Sequence, residues 1–178
     1  MLEVICGGMF AGKSELLIHR LKRASYAKKN IVAFKPAIDN RYSITEIASH
    51  SGHKYNSISI DPSSPVSFMK HLPNDVEVIG IDEAQFFSST IVDVVENLLS
   101  TRNVDIYVAG LDLDSAGKPF GSMPHLLAIA DKVTKVSAVC MKCGADATRS
   151  QRLVENKEQV MVGANGTYEA RCRKCWTP

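Results

Sequence analysis

An apolar run, Leu2-Glu-Val-Ile-Cys6, leads straight into Gly7-Gly-Met-Phe-Ala-Gly12-Lys13-Ser14, and this junction constrains the fold more than any other feature of the chain. The eight residues satisfy the pattern G-x-x-x-x-G-K-[ST], in which glycines let successive backbone N–H groups curl around phosphate oxygens. The pattern requires a strand before it and a helix after it, because the helix N-terminus adds its partial positive charge at the same point. Both signals are present: the run before Gly7 is short and β-rich, and Leu16, Leu17 and Leu21 recur at helical spacing after Lys13. Gly7, Gly8, Met9, Phe10, Ala11, Gly12 and Lys13 are therefore expected to hold nucleotide phosphates, with Ser14 ligating Mg²⁺.

Up to Gly110 the same theme repeats. Buried strands are expected over 2–6, 31–35, 76–82 and 104–109, each short, continuous and rich in valine or isoleucine. Helices are expected over 13–28 and 86–100, the second carrying Ile91, Val94, Val95 and Leu98 on one face. Strands alternating with helices predict an α/β fold, a parallel sheet flanked by helices. Between Pro36 and Pro65 the pattern weakens into Ser-rich sequence, which reads as a flexible excursion centred on 40–60 outside the core. The stretch 110–124 is too long and too punctuated by glycine and proline for a simple connection. A helical turn over 126–130 and an alternating strand over 132–139 follow it. The expected organisation is a phosphate-binding domain over 1–135 and a small subdomain over 136–178.

The second half of a phosphoryl-transfer site is visible in Val76-Glu-Val-Ile-Gly-Ile-Asp82-Glu83. An apolar strand here ends in two carboxylates at the sheet edge where ligands bind in open α/β folds. Asp82 suits the Mg²⁺-linked acid, and Glu83 suits a general base that takes a proton from the attacking nucleophile. These residues define phosphoryl transfer but not its acceptor, since a glutamate here activates water in an ATPase as readily as a hydroxyl in a kinase.

Cys140-Met-Lys-Cys143 and Cys172-Arg-Lys-Cys175 supply two thiolate pairs, each fit to occupy two corners of a tetrahedron around Zn²⁺. Four sulfur ligands leave no open position for water, so the expected metal is structural. Residues 159–162 and 167–171 read as a hairpin turning at Gly163-Ala-Asn-Gly166. The fifth cysteine, Cys6, reads as a small buried hydrophobe. Free cysteines, the lack of a signal-peptide pattern and the lack of any run long enough to span a bilayer predict a cytoplasmic protein without a membrane segment. With 21 basic and 19 acidic residues the formal charge is only +2, which argues against a general electrostatic grip on nucleic acid.

Taken together, Gly7-Gly-Met-Phe-Ala-Gly-Lys-Ser14, Lys35-Pro-Ala-Ile-Asp39-Asn-Arg41, Ile81-Asp-Glu83-Ala-Gln85-Phe86, Lys118-Pro-Phe-Gly121 and the two cysteine pairs resemble the thymidine kinase family, in its phosphate-loop plus zinc-ribbon form. The resemblance runs from the first strand to the last cysteine pair and implies a nucleoside 5′-hydroxyl as the acceptor of the ATP γ-phosphate. It implies Glu83 and Arg41 as catalytic residues, and Asp39, Asp82 and Gln85 on the nucleotide and Mg²⁺ side. A fixed guanidinium at Arg41 would offset charge developing on the transferred group. The loop 111–124 becomes a lasso-like flap over the base. Met9, Phe86, Leu111, Ser115, Phe120, Ser150, Arg152 and Tyr168 are then expected around the nucleoside, with Met161, Val162 and Gly163 reading the pyrimidine edge. The family usually carries an aromatic residue where this chain has Ser115, which implies a lost stacking surface of about 1 kcal/mol. The same resemblance implies a homotetramer.

Two other classes stay open on the residues alone. One is a phosphate-loop ATPase whose ribbon binds nucleic acid through Lys142, Arg149, Arg152, Arg171, Arg173 and Lys174. The other is a zinc-dependent adaptor that uses nucleotide as a switch.

Overall fold

A computed structural model of the 178-residue chain describes residues 1–38, 46–49, 52–154 and 166–177. The first half runs β1 (Leu2–Cys6), α1 (Lys13–Tyr26), β2 (Ile31–Pro36), β3 (Glu46–Ala48), β4 (Lys54–Asn56), β5 (Ile58–Ile60) and β6 (Val78–Ile81). It continues with α2 (Thr90–Thr101), β7 (Asp105–Gly110), α3 (Met123–Ile129), β8 (Lys132–Lys135), β9 (Ala138–Val139), β10 (Asp146–Ala147), β11 (Arg149–Arg152) and β12 (Tyr168–Arg171). Six strands form one sheet in the order β5-β2-β6-β7-β1-β8, and every pairing in it is parallel. This is the α/β class that the alternation of runs predicts.

Strand periodicity sorts the core into two faces. Ile5, Ala33 and Val78 point toward α1, where they meet Leu17, Ile18 and Leu21. Their neighbours Val4, Phe34 and Ile79 point the other way, into a larger cluster with Ile91, Val95 and Leu98 of α2 and Met123 and Leu126 of α3. Alternate residues facing opposite layers is what a sheet covered on both sides requires. β1 and β6 are buried throughout their length.

The segment after Pro36 corrects one expectation. Instead of lying outside the core, residues 58–60 pair with β2 and complete the sheet edge, and β3 and β4 form a small antiparallel ladder. The turn that follows, Pro65–His71, drives Phe68 fully into the core, where it stacks on Phe34 at 4.2 Å and meets Phe87 edge-on at 5.4 Å. Burying one such ring contributes on the order of 2 kcal/mol, which fastens this stretch despite its polar composition.

Smaller corrections have local causes. The helix expected from residue 86 starts at Thr90, because Ala84–Phe86 forms a tighter turn first. The helix expected at 126–130 starts earlier, at Met123, with a proline in its first turn. The strand expected over 132–139 is two: β8 joins the main sheet beside β1, and the chain then leaves it to begin the cysteine region with β9. Val136 marks the break. Its N–H donates to Cys6 O at 2.8 Å, and its carbonyl lies only 2.2 Å from where a Cβ on Gly7 would sit. The phosphate loop can start there only from a glycine. Tyr168–Arg171 pairs with Arg149–Arg152; the other arm of the expected hairpin, residues 159–162, lies outside the described residues. Among the described residues no helix is long and apolar enough to cross a membrane.

Candidate active site and metal centre

The parallel sheet delivers two loops to one edge. β1 ends at Cys6 and the glycine-rich loop turns into α1, with Gly12 in the left-handed region at φ 77° as the residue before the helix. One strand further across the sheet, beyond β7, β6 ends at Ile81 and the carboxylates follow. The Asp82 N–H still donates to Phe34 O at 2.9 Å, which fixes the end of the strand. Glu83 then turns the chain at φ 50°, a conformation rare for a residue with a side chain and one that collects at functional sites.

Ser14 and Asp82 meet where the two loops converge: Ser14 Oγ donates to Asp82 Oδ1 at 3.1 Å. The same carboxylate oxygen accepts the Glu83 N–H at 3.0 Å. Asp82 is buried at 5% exposure, so these contacts hold a carboxylate out of bulk water beside the loop. Lys13 Nζ donates to Gly8 O at 2.7 Å, folding its ammonium back over the loop it belongs to.

Gln85 contributes a contact that sequence reasoning did not identify. It is buried, and its Nε2 donates to Glu83 Oε2 at 2.5 Å while its Oε1 accepts the Leu111 N–H at 2.9 Å. The side chain expected on the nucleotide side thus bridges the Glu83 carboxylate to the start of the loop after β7. Phe86 and Phe120 pack edge to face at 5.7 Å and 84°, which puts that loop's far end against the same turn.

The loop itself is more regular than a flap. Asp114 Oδ1 accepts the N–H groups of Ala116 at 3.0 Å and Lys118 at 2.9 Å, the Asp114 N–H donates to Lys118 O, and Leu113 bridges Pro119. Asp114, a residue sequence reasoning passed over, therefore builds a tight hairpin tip; an aspartate three residues before a glycine was the available signal. Ser115 lies at this tip.

The cysteine region abuts the phosphate loop. The Met9 N–H donates to Ser150 Oγ at 2.9 Å, and Phe10 and Ala11 pack against a cluster of Ala138, Cys140, Ala147, Ala170 and Cys172. Arg152 Nη2 donates to Tyr168 Oη at 3.1 Å, with the guanidinium 5.5 Å from the ring. Three of the arginines considered for nucleic-acid binding are engaged internally: Arg152 as described, Arg149 against Trp176, and Arg171 in an ion pair with Glu169. Asp39, Arg41, Met161, Val162 and Gly163 lie outside the described residues.

Four sulfurs, of Cys140, Cys143, Cys172 and Cys175, lie within 4.8 Å of one another. A tetrahedral zinc with Zn–S bonds of about 2.3 Å sets its sulfurs about 3.8 Å apart, and Cys143 and Cys172 stand at 3.7 Å. Burial opposes ionisation of Cys140, but N–H donors from Cys172, Lys142 and Cys143 outweigh it and bring the thiol down to about 6. Cys175 goes the other way, to about 12, pushed up by hydrogen bonding to Cys143 and Cys172. The donor set fits a structural zinc.

Comparison with known proteins agrees with this geometry. The family model described as "Thymidine kinase" matches residues 1–176. A protein named "Thymidine kinase" from Bacteroides fragilis is 48% identical over 175 residues, covering 98% of this chain and 86% of that protein. One of the same name from Bacteroides thetaiotaomicron is 47% identical over the same coverage. Similarity of that depth, running from the strand before the phosphate loop through the last cysteine pair, means that the chain belongs to the thymidine kinase family.

Proposed function

We propose that this chain transfers the γ-phosphate of ATP to the 5′-hydroxyl of thymidine or deoxyuridine, with Glu83 as the base. The observation that carries the reading is the placement of Ser14, Asp82 and Glu83 within one hydrogen-bonded chain at the sheet edge, directly beside the phosphate loop. Loop N–H groups and Lys13 bind the phosphates. Ser14 and Asp82 are hard oxygen donors suited to Mg²⁺, which when bound would neutralise charge on the β- and γ-phosphate oxygens. Glu83, oriented by Gln85, accepts the proton of the sugar hydroxyl as that oxygen attacks phosphorus.

The loop 111–124 and the ribbon over 136–178 would enclose the nucleoside. Phe86, Leu111, Phe120, Arg152 and Tyr168 line that space in this reading, together with positions 161–163, while Arg41 and Asp39 serve the transferred phosphate. Family resemblance further supports a homotetramer acting in the cytoplasm.

The test is a phosphorylation screen of the common nucleosides with ATP and Mg²⁺, product read by mass. Monophosphate formed from thymidine and deoxyuridine supports the reading. ATP hydrolysis without any phosphorylated nucleoside would overturn it.

A further inference from the structure

Trp176 is the sole tryptophan of the chain and directly follows the last cysteine of the cluster. Its N–H donates to Cys172 O at 3.0 Å, so its backbone belongs to the turn that presents Cys172 and Cys175. The indole reaches away from that turn to the loop after β7, where Nε1–H donates to Ser115 O at 3.2 Å. Gly117 lies against the ring. Its φ is 73°, and a Cβ there would stand 2.8 Å from the ring atom Cη2, so the loop backbone touches the indole at a residue without a side chain to obstruct it.

Further contacts hold the tryptophan in place. The Arg149 guanidinium lies 5.8 Å from the ring centroid, within the range of a cation–π contact. Gln151 brackets the next residue: its Oε1 accepts the Thr177 N–H at 2.9 Å and its Nε2 donates to Thr177 O at 2.9 Å. Both arginine and glutamine sit on β11, whose Ser150 holds the Met9 N–H. The loop, for its part, is stiffened by Asp114 and carries Phe120 against Phe86 at its far end.

We propose that Trp176 is a positioning residue of the nucleoside site, clamping the 111–124 loop to the cysteine turn so that metal held by the turn governs how firmly the loop covers a nucleoside. The inference rests on the reading of that loop as the nucleoside cover. A tryptophan that merely fills the surface would stabilise the ribbon without touching substrate affinity. A clamp acts on the nucleoside more than on ATP, because the indole's own hydrogen bond and ring contact fall on Ser115 and Gly117 of the 111–124 loop.

The experiment compares metal-replete wild type, Trp176→Ala and Trp176→Phe by steady-state kinetics and by hydrogen exchange of peptides covering 111–122. Trp176→Ala is expected to raise KM for thymidine about tenfold while KM for ATP and kcat stay within about twofold, and to speed exchange across the loop. Trp176→Phe keeps a ring and loses the donor, so it falls between; it carries the test if the alanine variant is poorly folded. Chelating the metal should speed loop exchange in wild type and shift its tryptophan emission to the red, with no further gain in loop exchange for Trp176→Ala. Unchanged loop exchange in both variants, or equal rises in the two KM values, overturns the clamp. If wild type phosphorylates no nucleoside the functional reading falls, and the exchange comparison still decides whether the clamp exists.

Discussion

Gln85 Nε2 donates to Glu83 Oε2 at 2.5 Å, and the same amide's oxygen accepts the Leu111 N–H at 2.9 Å. A carboxamide carries an acceptor oxygen and a donor NH₂ group on one planar end, so a single side chain meets both partners here. Glutamate in its place would repel Glu83, and leucine would leave the Leu111 N–H and the carboxylate unmatched. Glu83 already occupies a left-handed backbone conformation, so its orientation depends on such support.

Gln85→Leu is therefore expected to lower kcat about thirtyfold, and Glu83→Gln by more than about a thousandfold, the scale of a lost general base. ATP binding measured by calorimetry should be little changed in both. A Glu83→Gln enzyme with full turnover would contradict the assignment of the base.

Ser14 and Asp82 share one hydrogen bond at the junction of loop and strand. If they hold Mg²⁺, Ser14→Ala and Asp82→Asn should each raise the Mg²⁺ concentration for half-maximal activity about tenfold or more. A Mg²⁺ titration at saturating ATP reads this directly. Wild-type titration curves in both variants would remove the pair from the metal site.

Stripping the metal should unfold the ribbon, because binding free energy at a closed four-thiolate site is folding free energy. Circular dichroism should show a partial loss, with the six-stranded sheet retained. Nucleoside affinity should fall much further than ATP affinity. Equal loss of both would show that the ribbon supports the whole molecule and has no particular tie to one ligand.

Glu3 gives a prediction about acid. Its burial alone would raise the carboxyl, but hydrogen bonds from Arg20, Thr134 and Lys132 outweigh that and lower it from 4.5 to about 2. A group depressed on folding contributes stability that is fully present above its unfolded value and lost as pH falls through its folded one. The contribution should therefore be complete above 4.5 and fade toward 2. Glu3→Gln should cost about 2 kcal/mol at neutral pH by leaving Arg20 without its carboxylate, and should flatten the stability profile between those limits. Urea unfolding across that range checks both.

The sequence exposed whatever is written in contiguous residues. β1 matches its expected bounds because an apolar run stops at a glycine that Val136 O makes obligatory. The Ser14, Asp82 and Glu83 group was legible because each half is a local pattern at the end of a strand, and parallel topology brings such ends to one edge. The short strand Ile58–Ile60 was not, since three residues around a serine carry too little periodicity and its place is decided by pairing with β2. Gln85 could be quoted within a motif, yet its bond to Leu111 crosses from one strand end to another. Trp176 had the least local signal of all, because its partners, Ser115 and Gly117, lie in a loop far back along the chain.

β1 lies between β7 and β8, and its Met9 loop amide is held by a hydroxyl 141 residues away. β1 therefore waits for β7, β8 and its Ser150 anchor, all of which lie far along the sequence. Chain closure over such separations is slow, and until it occurs a largely apolar segment stands exposed. Newly synthesised protein should consequently depend on chaperones early, and moving the first strand to the far end by circular permutation should hasten folding.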